Sequence, residues 1–356
     1  MIRFLVPLAA LLTIGCASAP SPARAETIST RPKSVILIVG DGVGVAHVTA
    51  AKLLRGSEFQ VGRMPVAGLM TTHSASSLVT DSAAAATAMA TGVKAVNRTV
   101  GVDANGTPVR NVVEAAEAAG RATGTVTTGA FWDATPASFV AHHKSRYDVL
   151  PIVQAFLGSG IDLIAGGGAE WFGVEGRPEL AGVVASSNVT LVTTRDALVT
   201  AKGDRVLAVF PMAKNEMDAA EAPLPVLASW AIERLSRDPD GFFLLLEHEG
   251  TDGTGHNNLT DEFKKAMVSL DETVGVALEF ARTRGNVLVI VTGDHETGGL
   301  TLDVKNEQLV FVWSNKGHTA AFVPVFAFGP GSERFEGLID NTDLGKALLE
   351  LVGTTE

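Results

Sequence analysis

Three continuous apolar runs, each stopping at an acid, constrain this chain more than anything else in it. Residues 34–40 read SVILIVG and are followed at once by Asp41. Residues 242–246 read FFLLL and end in Glu247, and residues 286–292 read NVLVIVT and end in Gly293-Asp294-His295. Apolar runs without polar alternation belong to strands buried on both faces, as in a parallel sheet covered by helices. Open α/β sheets bind ligands beyond the carboxyl ends of their strands. A helix N-cap carboxylate explains any one of these acids; three together point to a shared site. The expected fold class is α/β, a three-layer sandwich with a central, mostly parallel sheet flanked by helices.

Further strands are expected at 123–128, 162–165 and 323–328. Helices are expected from Gly44 to about Leu54, at 110–119 closed by Gly120, at 262–282 and at 343–352. Asp261 and Thr342 stand near the starts of the last two as capping residues. Residues 166–225 show weaker periodicity and read as a peripheral insertion in a single domain spanning 26–356. With 46% hydrophobic and 19% charged residues, the chain is neither disordered nor a coiled coil. Its formal charge of −11 argues against a nucleic-acid-binding surface, which needs a basic footprint.

Arg3 and the apolar run from Phe4 to Gly15 have the anatomy of a secretory signal covering residues 1–25, too short to span a bilayer. Ala23-Arg24-Ala25 has the small-x-small form of a cleavage site. Thr13-Ile14-Gly15-Cys16 is the competing site, a lipoprotein box that would put a lipid anchor on Cys16. Either route makes the mature protein periplasmic or secreted. Cys16 is the chain's one cysteine, so a disulfide framework and a cysteine-based metal site are excluded.

Residues 80–92 read TDSAAAATAMATG, a helix of small residues with Asp81 or Ser82 at its head and Gly92 at its stop. A serine at a helix N-terminus is either a cap or a nucleophile beside an anion site. No G-x-S-x-G elbow and no triad accompany it, so metal activation is the alternative. Ligands for metals are present. Asp252 and His256 are four apart, Asp294-His295 closes a strand, and His318 precedes another. Carboxylate with imidazole suits zinc. Oxygen ligands such as Asp41, Glu247 and a threonine hydroxyl suit magnesium. His47, His73 and His248 read as structural, and His142 and His143 as packing or lining the rim of the site.

Seven segments in order give these residues a context: Val39-Gly40-Asp41-Gly42, Val79-Thr80-Asp81-Ser82-Ala83, Asp133-Ala134-Thr135-Pro136-Ala137, Ser145-Arg146, Glu247 through His256, Thr292 through Gly299, and Gly317-His318-Thr319. From about residue 34 to its end, the chain resembles a bacterial alkaline phosphatase. The resemblance implies that Ser82 is the nucleophile and becomes phosphorylated. It implies that Asp252, His256 and His318 hold one zinc ion, and that Asp41, Asp294 and His295 hold a second. Asp41, Thr135 and Glu247 would bind one magnesium ion, with Asp133 orienting its water and Arg146 gripping the phosphate.

The implied activity is hydrolysis of phosphate monoesters, with an alkaline pH optimum and broad specificity, since all these contacts address the phosphoryl group. Two departures stand out. Relatives often carry Lys or His where Gly253 stands, and Gly255 offers no acid. At this length the insertion that often crowns the family's dimer interface has little room, so a homodimer is expected with a monomer as alternative. Two other readings remain: a related metal-dependent phosphodiesterase or phosphomutase, and a non-catalytic extracytoplasmic metal- or phosphate-binding protein.

Overall fold

The computed structural model describes residues 31–172, 178–212 and 223–353. The expected signal segment, with Cys16 and both expected cleavage sites, lies outside the described residues. The three apolar runs form β1 (Ser34–Gly40), β7 (Phe242–His248) and β8 (Val287–Gly293). In chain order the other strands are β2 (Val66–Thr71), β3 (Ala122–Ala130), β4 (Leu163–Gly167), β5 (Thr190–Val192), β6 (Val206–Phe210), β9 (Glu296–Thr297), β10 (Leu300–Lys305), β11 (Gln308–Trp313), β12 (His318–Thr319), β13 (Val323–Phe328) and β14 (Gly337–Asp340).

Ten of these make one sheet in the order β14-β2-β13-β8-β1-β7-β3-β4-β6-β5. Every pair is parallel except the two that β13 makes with β2 and β8. All seven residues of β1 are buried. Val35, Leu37 and Val39 face one core, with Met89, Phe139 and Leu344. Ile36 and Ile38 face the other, with Phe263, Val274 and Leu278. That alternation places helices on both faces of the sheet, the three-layer arrangement expected from unbroken apolar strands.

Register brings the strand ends level. Val39 pairs with Glu247 of β7 and Thr292 of β8, and Gly40 pairs with His248 and Gly293. Asp41, Glu247 and Asp294 therefore leave three adjacent strands at the same edge. The helix Ser82–Thr91 lies beneath that edge, and all ten of its residues are buried. Asp81 is its N-cap and accepts a hydrogen bond from the Ala84 N–H. Gly92 closes it at φ +72°. Its small side chains let the C-terminal helix Asn341–Val352 approach closely: a Cβ on Gly345 would lie 2.4 Å from the Ala88 carbonyl oxygen.

Two expected caps are displaced. The C-terminal helix is capped by Asp340, which accepts from the Thr342 N–H, so Thr342 lies inside the first turn. The long helix Thr260–Arg284 starts after Leu259 and has no side-chain cap; Asp261 sits in its first turn. An acid there still complements the helix dipole. Within residues 166–225, β6 pairs in parallel with β4 and β5 in parallel with β6, extending the edge of the main sheet. Its short strands and small helices explain its weak periodicity.

Candidate active site

Strand β1 delivers Asp41, and β8 delivers Asp294 and His295. The helix Gly250–Asn257, directly after β7, carries Asp252 and His256 one turn apart on one face. The two-residue strands β9 and β12 pair antiparallel, His318 opposite Thr297, which brings His318 to the same point.

The first group is Asp252, His256 and His318. His256 Nε2 lies 3.2 Å from Asp252 Oδ2 and 3.1 Å from His318 Nε2, and His318 Nε2 lies 3.6 Å from Asp252 Oδ1. The second is Asp41, Asp294 and His295. His295 Nε2 is 3.4 Å from Asp41 Oδ1 and 3.2 Å from Asp294 Oδ2. Ser82 Oγ is 3.3 Å from the same nitrogen. The rings of His295 and His318 stack with centroids 3.6 Å apart, which joins the two groups.

The third group contains only oxygen. Ligand atoms of Asp41, Glu247 and Glu249 lie within 4.8 Å of one another. Glu247 Oε2 accepts from the Thr127 hydroxyl at 2.5 Å, and Thr135 neighbours Glu247 from the helix Ala134–Val140. Asp133 caps that helix and accepts from Arg146 Nη2 at 2.7 Å. Arg146 Nη1 also reaches Asp81 Oδ2 at 3.5 Å, so two acids orient the guanidinium.

These acids cannot all carry charge unaided. Burial pushes Asp41 well above the ordinary carboxylate range, and Asp294, Glu249, Asp252 and Glu247 add to it. Burial brings Asp294 up to about 7 and Glu247 up to about 8. His295 falls well below its usual value through burial and the nearby His318. Burial also works against Asp252, but the hydrogen bond from His256 and the neighbouring imidazoles hold it well below the usual range.

The residues fit the cations that such chemistry needs. Asp41 Oδ1, Asp294 Oδ2, Glu247 Oε1 and Thr135 Oγ1 are buried and have no hydrogen-bond partner. Buried polar atoms nearly always have one. A divalent ion supplies it and reverses the pKa pattern, because ligands bind metal deprotonated. Mixed imidazole and carboxylate suits zinc in the first two groups, and the oxygen group suits a hard cation.

The sequence profile of the alkaline phosphatase family matches residues 32–311. The chain belongs to the alkaline phosphatase family. It is a metal-dependent phosphatase of that family. It is 29% identical to alkaline phosphatase 4 of Bacillus subtilis, over 98% of this chain and 97% of that one. It is 31% identical to the alkaline phosphatase of Escherichia coli, over 90% of this chain and 86% of that one. The alkaline phosphatase of the Antarctic bacterium TAB5 superposes with a TM-score of 0.84 at 31% identity, covering 92% of this chain and 99% of that one.

The remaining histidines are engaged elsewhere. His47 is fully buried; it accepts from the Gly44 N–H and its Nε2 lies 3.1 Å from the Thr297 carbonyl. His142 binds the Gly101 carbonyl and Glu114, and His143 meets the Ser145 carbonyl. His73 lies 3.7 Å from Asp340. His248 is buried in β7, and burial lowers it to about 4.

Two site residues escape a reading of the sequence, Thr297 and Glu249. The Thr297 hydroxyl donates to Asp252 Oδ1, and its oxygen lies 3.2 Å from His295 Nδ1. A proton on that Nδ1 leaves the Nε2 lone pair facing Ser82, Asp41 and Asp294. One hydroxyl thus orients a ligand in each of the two imidazole groups, as partners behind metal-binding histidines do. Thr297 is itself held by its N–H to the Gly42 carbonyl at 3.0 Å. A Cβ on Gly42, at φ +73°, would lie 2.8 Å from the Thr297 hydroxyl. Thr297→Val is expected to weaken zinc retention against a chelator and kcat/KM by roughly 10- to 100-fold, with Thr297→Ser restoring most of both. Equal zinc retention in the Val and Ser variants would refute the role.

Proposed function

We propose that the chain hydrolyses phosphate monoesters through a phosphoserine at Ser82, with two zinc ions and one magnesium ion, outside the cytosol. The observation that carries this reading is the Ser82 hydroxyl 3.3 Å from His295 Nε2, at the first position of a buried helix. Asp252, His256 and His318 would hold one zinc, Asp41, Asp294 and His295 the other, and Asp41, Thr135 and Glu247 the magnesium. A TAB5 alkaline phosphatase mutant has Mg bound. When bound, these ions supply Lewis acidity that acidifies the serine hydroxyl and stabilises the leaving oxygen.

Ser82 Oγ forms the bond to phosphorus as the bond to the alcohol oxygen breaks. Its proton passes to solvent and the alcohol leaves protonated. Water then attacks phosphorus, the Ser82 Oγ–P bond breaks, and inorganic phosphate departs. The transition state is loose, so positioning and charge supply most of the catalysis. Arg146, aimed by Asp133 and Asp81, pairs its planar guanidinium with two phosphoryl oxygens. The free N–H groups of the helix Ser82–Thr91 favour the same anion. Deprotonated Ser82 becomes more abundant with rising pH, hence an alkaline optimum. Broad specificity follows because these contacts address the phosphoryl group.

Among the described residues no helix is long and apolar enough to cross a membrane. The mature protein is read as periplasmic or secreted, free or lipid-anchored through Cys16, and as a homodimer. The mass of its N-terminus separates the two forms. The deciding assay compares a phosphate monoester with a diester on the zinc- and magnesium-loaded protein. Monoester turnover is expected to dominate; faster diester turnover would replace this reading with the phosphodiesterase one.

A further inference from the structure

We propose that Glu249 is a direct ligand of the oxygen-lined cation site, and that this third carboxylate makes the site prefer calcium to magnesium. The inference rests on the reading that a cation occupies this site. Its first support is placement. A Glu249 oxygen shares one 4.8 Å cluster with oxygens of Asp41 and Glu247. The cluster also has vacant valences: Asp41 Oδ1, Glu247 Oε1 and the adjacent Thr135 Oγ1 are buried without a hydrogen-bond partner. These atoms are on residues no more than 1% exposed.

Glu249 is fixed in this position by its backbone. Its N–H donates to Thr128 Oγ1 at 2.9 Å, and it stands at the head of the helix Gly250–Asn257. Its side chain runs past Gly129, where a Cβ would come within 2.9 Å of Glu249 Cγ. Glycine at 129 leaves room for the glutamate. The strand ends at His248, and the helical backbone at Glu249 turns its carboxylate into the cluster with Glu247 and Asp41.

No competing partner accounts for the carboxylate. It accepts no hydrogen bond among the described residues. The Arg146 guanidinium, whose charge reaches Glu249, is engaged by Asp133 at 2.7 Å and Asp81 at 3.5 Å. A carboxylate held among carboxylates, with no donor, is stabilised by a shared cation.

The ligand count sets the ion class. Magnesium is usually held through one or two carboxylates and keeps several waters, whereas calcium takes six to eight oxygens, with carboxylates in one- or two-oxygen modes. Asp41, Glu247, Glu249 and the Thr135 hydroxyl offer three carboxylates and a fourth residue, and no nitrogen. That set matches calcium better than magnesium.

The test is equilibrium dialysis of the zinc-loaded, full-length protein against calcium or magnesium, with metal content read by plasma mass spectrometry. The wild type is expected to take up one further ion and to bind calcium more tightly than magnesium. Glu249→Gln keeps the shape and removes the charge. It is expected to weaken calcium binding by at least the roughly 10- to 100-fold seen on losing a ligand's supporting partner, with two zinc ions retained. Glu249→Asp serves as the charged variant should the glutamine protein fail to fold, and its shorter reach is expected to weaken calcium binding less. Calcium affinity unchanged in Glu249→Gln, or magnesium bound more tightly than calcium by the wild type, overturns the inference and leaves the phosphatase reading standing. A wild type that takes up no third ion overturns the third-cation assignment itself.

Discussion

Ser82→Ala is expected to remove steady-state hydrolysis of phosphate monoesters, by about 10⁴-fold or more, or some 5.4 kcal/mol of barrier at 1.36 kcal/mol per tenfold. The structure separates that chemical loss from a folding defect. The helix cap is Asp81, which accepts from the Ala84 N–H at 3.0 Å, so the serine hydroxyl is not needed to start the helix. Ser82 is followed by four alanines in a fully buried helix, and alanine is the best helix former. What the substitution deletes is the oxygen 3.3 Å from His295 Nε2. Zinc content and the urea midpoint are therefore expected to stay near wild type while turnover disappears. Labelled phosphate trapped on the wild-type protein at low pH, and absent from the variant, would place the intermediate on Ser82. Turnover that survives the substitution would remove Ser82 from the mechanism and leave water as the direct nucleophile.

Much of this site was legible because its ligands follow strands that announce themselves. SVILIVG, FFLLL and NVLVIVT have no polar face, so their burial and their ends could be read without a partner. Their spatial order could not: β1 lies between β7 and β8, an arrangement made by pairings across more than two hundred residues. The caps went astray for a local reason. Asp340 and Thr342 are both good capping residues two apart, and only the backbone, extended at Asp340, decides between them.

Thr297 and Glu249 were missed for a different reason. Thr297 sits inside the Thr292–Gly299 segment that helped identify the family, yet its role needs Asp252, 45 residues away, within hydrogen-bond reach. Glu249 was within sight, two residues past Glu247. Its backbone leaves the strand and turns helical, and that turn, which brings its carboxylate to Glu247, is not visible in the spacing. Asp133, expected to orient magnesium-bound water, accepts from Arg146 Nη2 at 2.7 Å, a contact between a helix cap and a turn that the spacing in sequence does not show.

Removing the divalent ions is expected to abolish activity and also to invert the protein's response to pH. In the metal-free protein Asp294 titrates at about 7 and Glu247 at about 8, against 3.8 and 4.5 for the free groups. Both carboxylates are fully buried. Their folded values are raised, so between about pH 4 and pH 8 these two groups hold more protons in the folded state than in the unfolded state. Stability rises with pH only where the unfolded state binds more. The contribution of these groups is therefore fully present below their unfolded pKa values and lost as pH rises toward 7 and 8. Each contributes a slope of about 1.4 kcal/mol per pH unit inside its window. Below about pH 6.5 the buried histidines His47, His248 and His295, with lowered folded values, act in the opposite direction, so the chelated protein is expected to lose urea resistance between pH 6.5 and pH 8. Zinc with magnesium or calcium should reverse the sign, because the ions bind the deprotonated ligands and bind them more tightly as pH rises. Paired urea titrations at pH 6.5 and pH 8, with chelator and with ions restored, read both slopes. A chelated protein as stable at pH 8 as at pH 6.5 would show that its acids are not held as a buried, proton-sharing cluster, and the case for cations at the strand ends would lose its electrostatic basis.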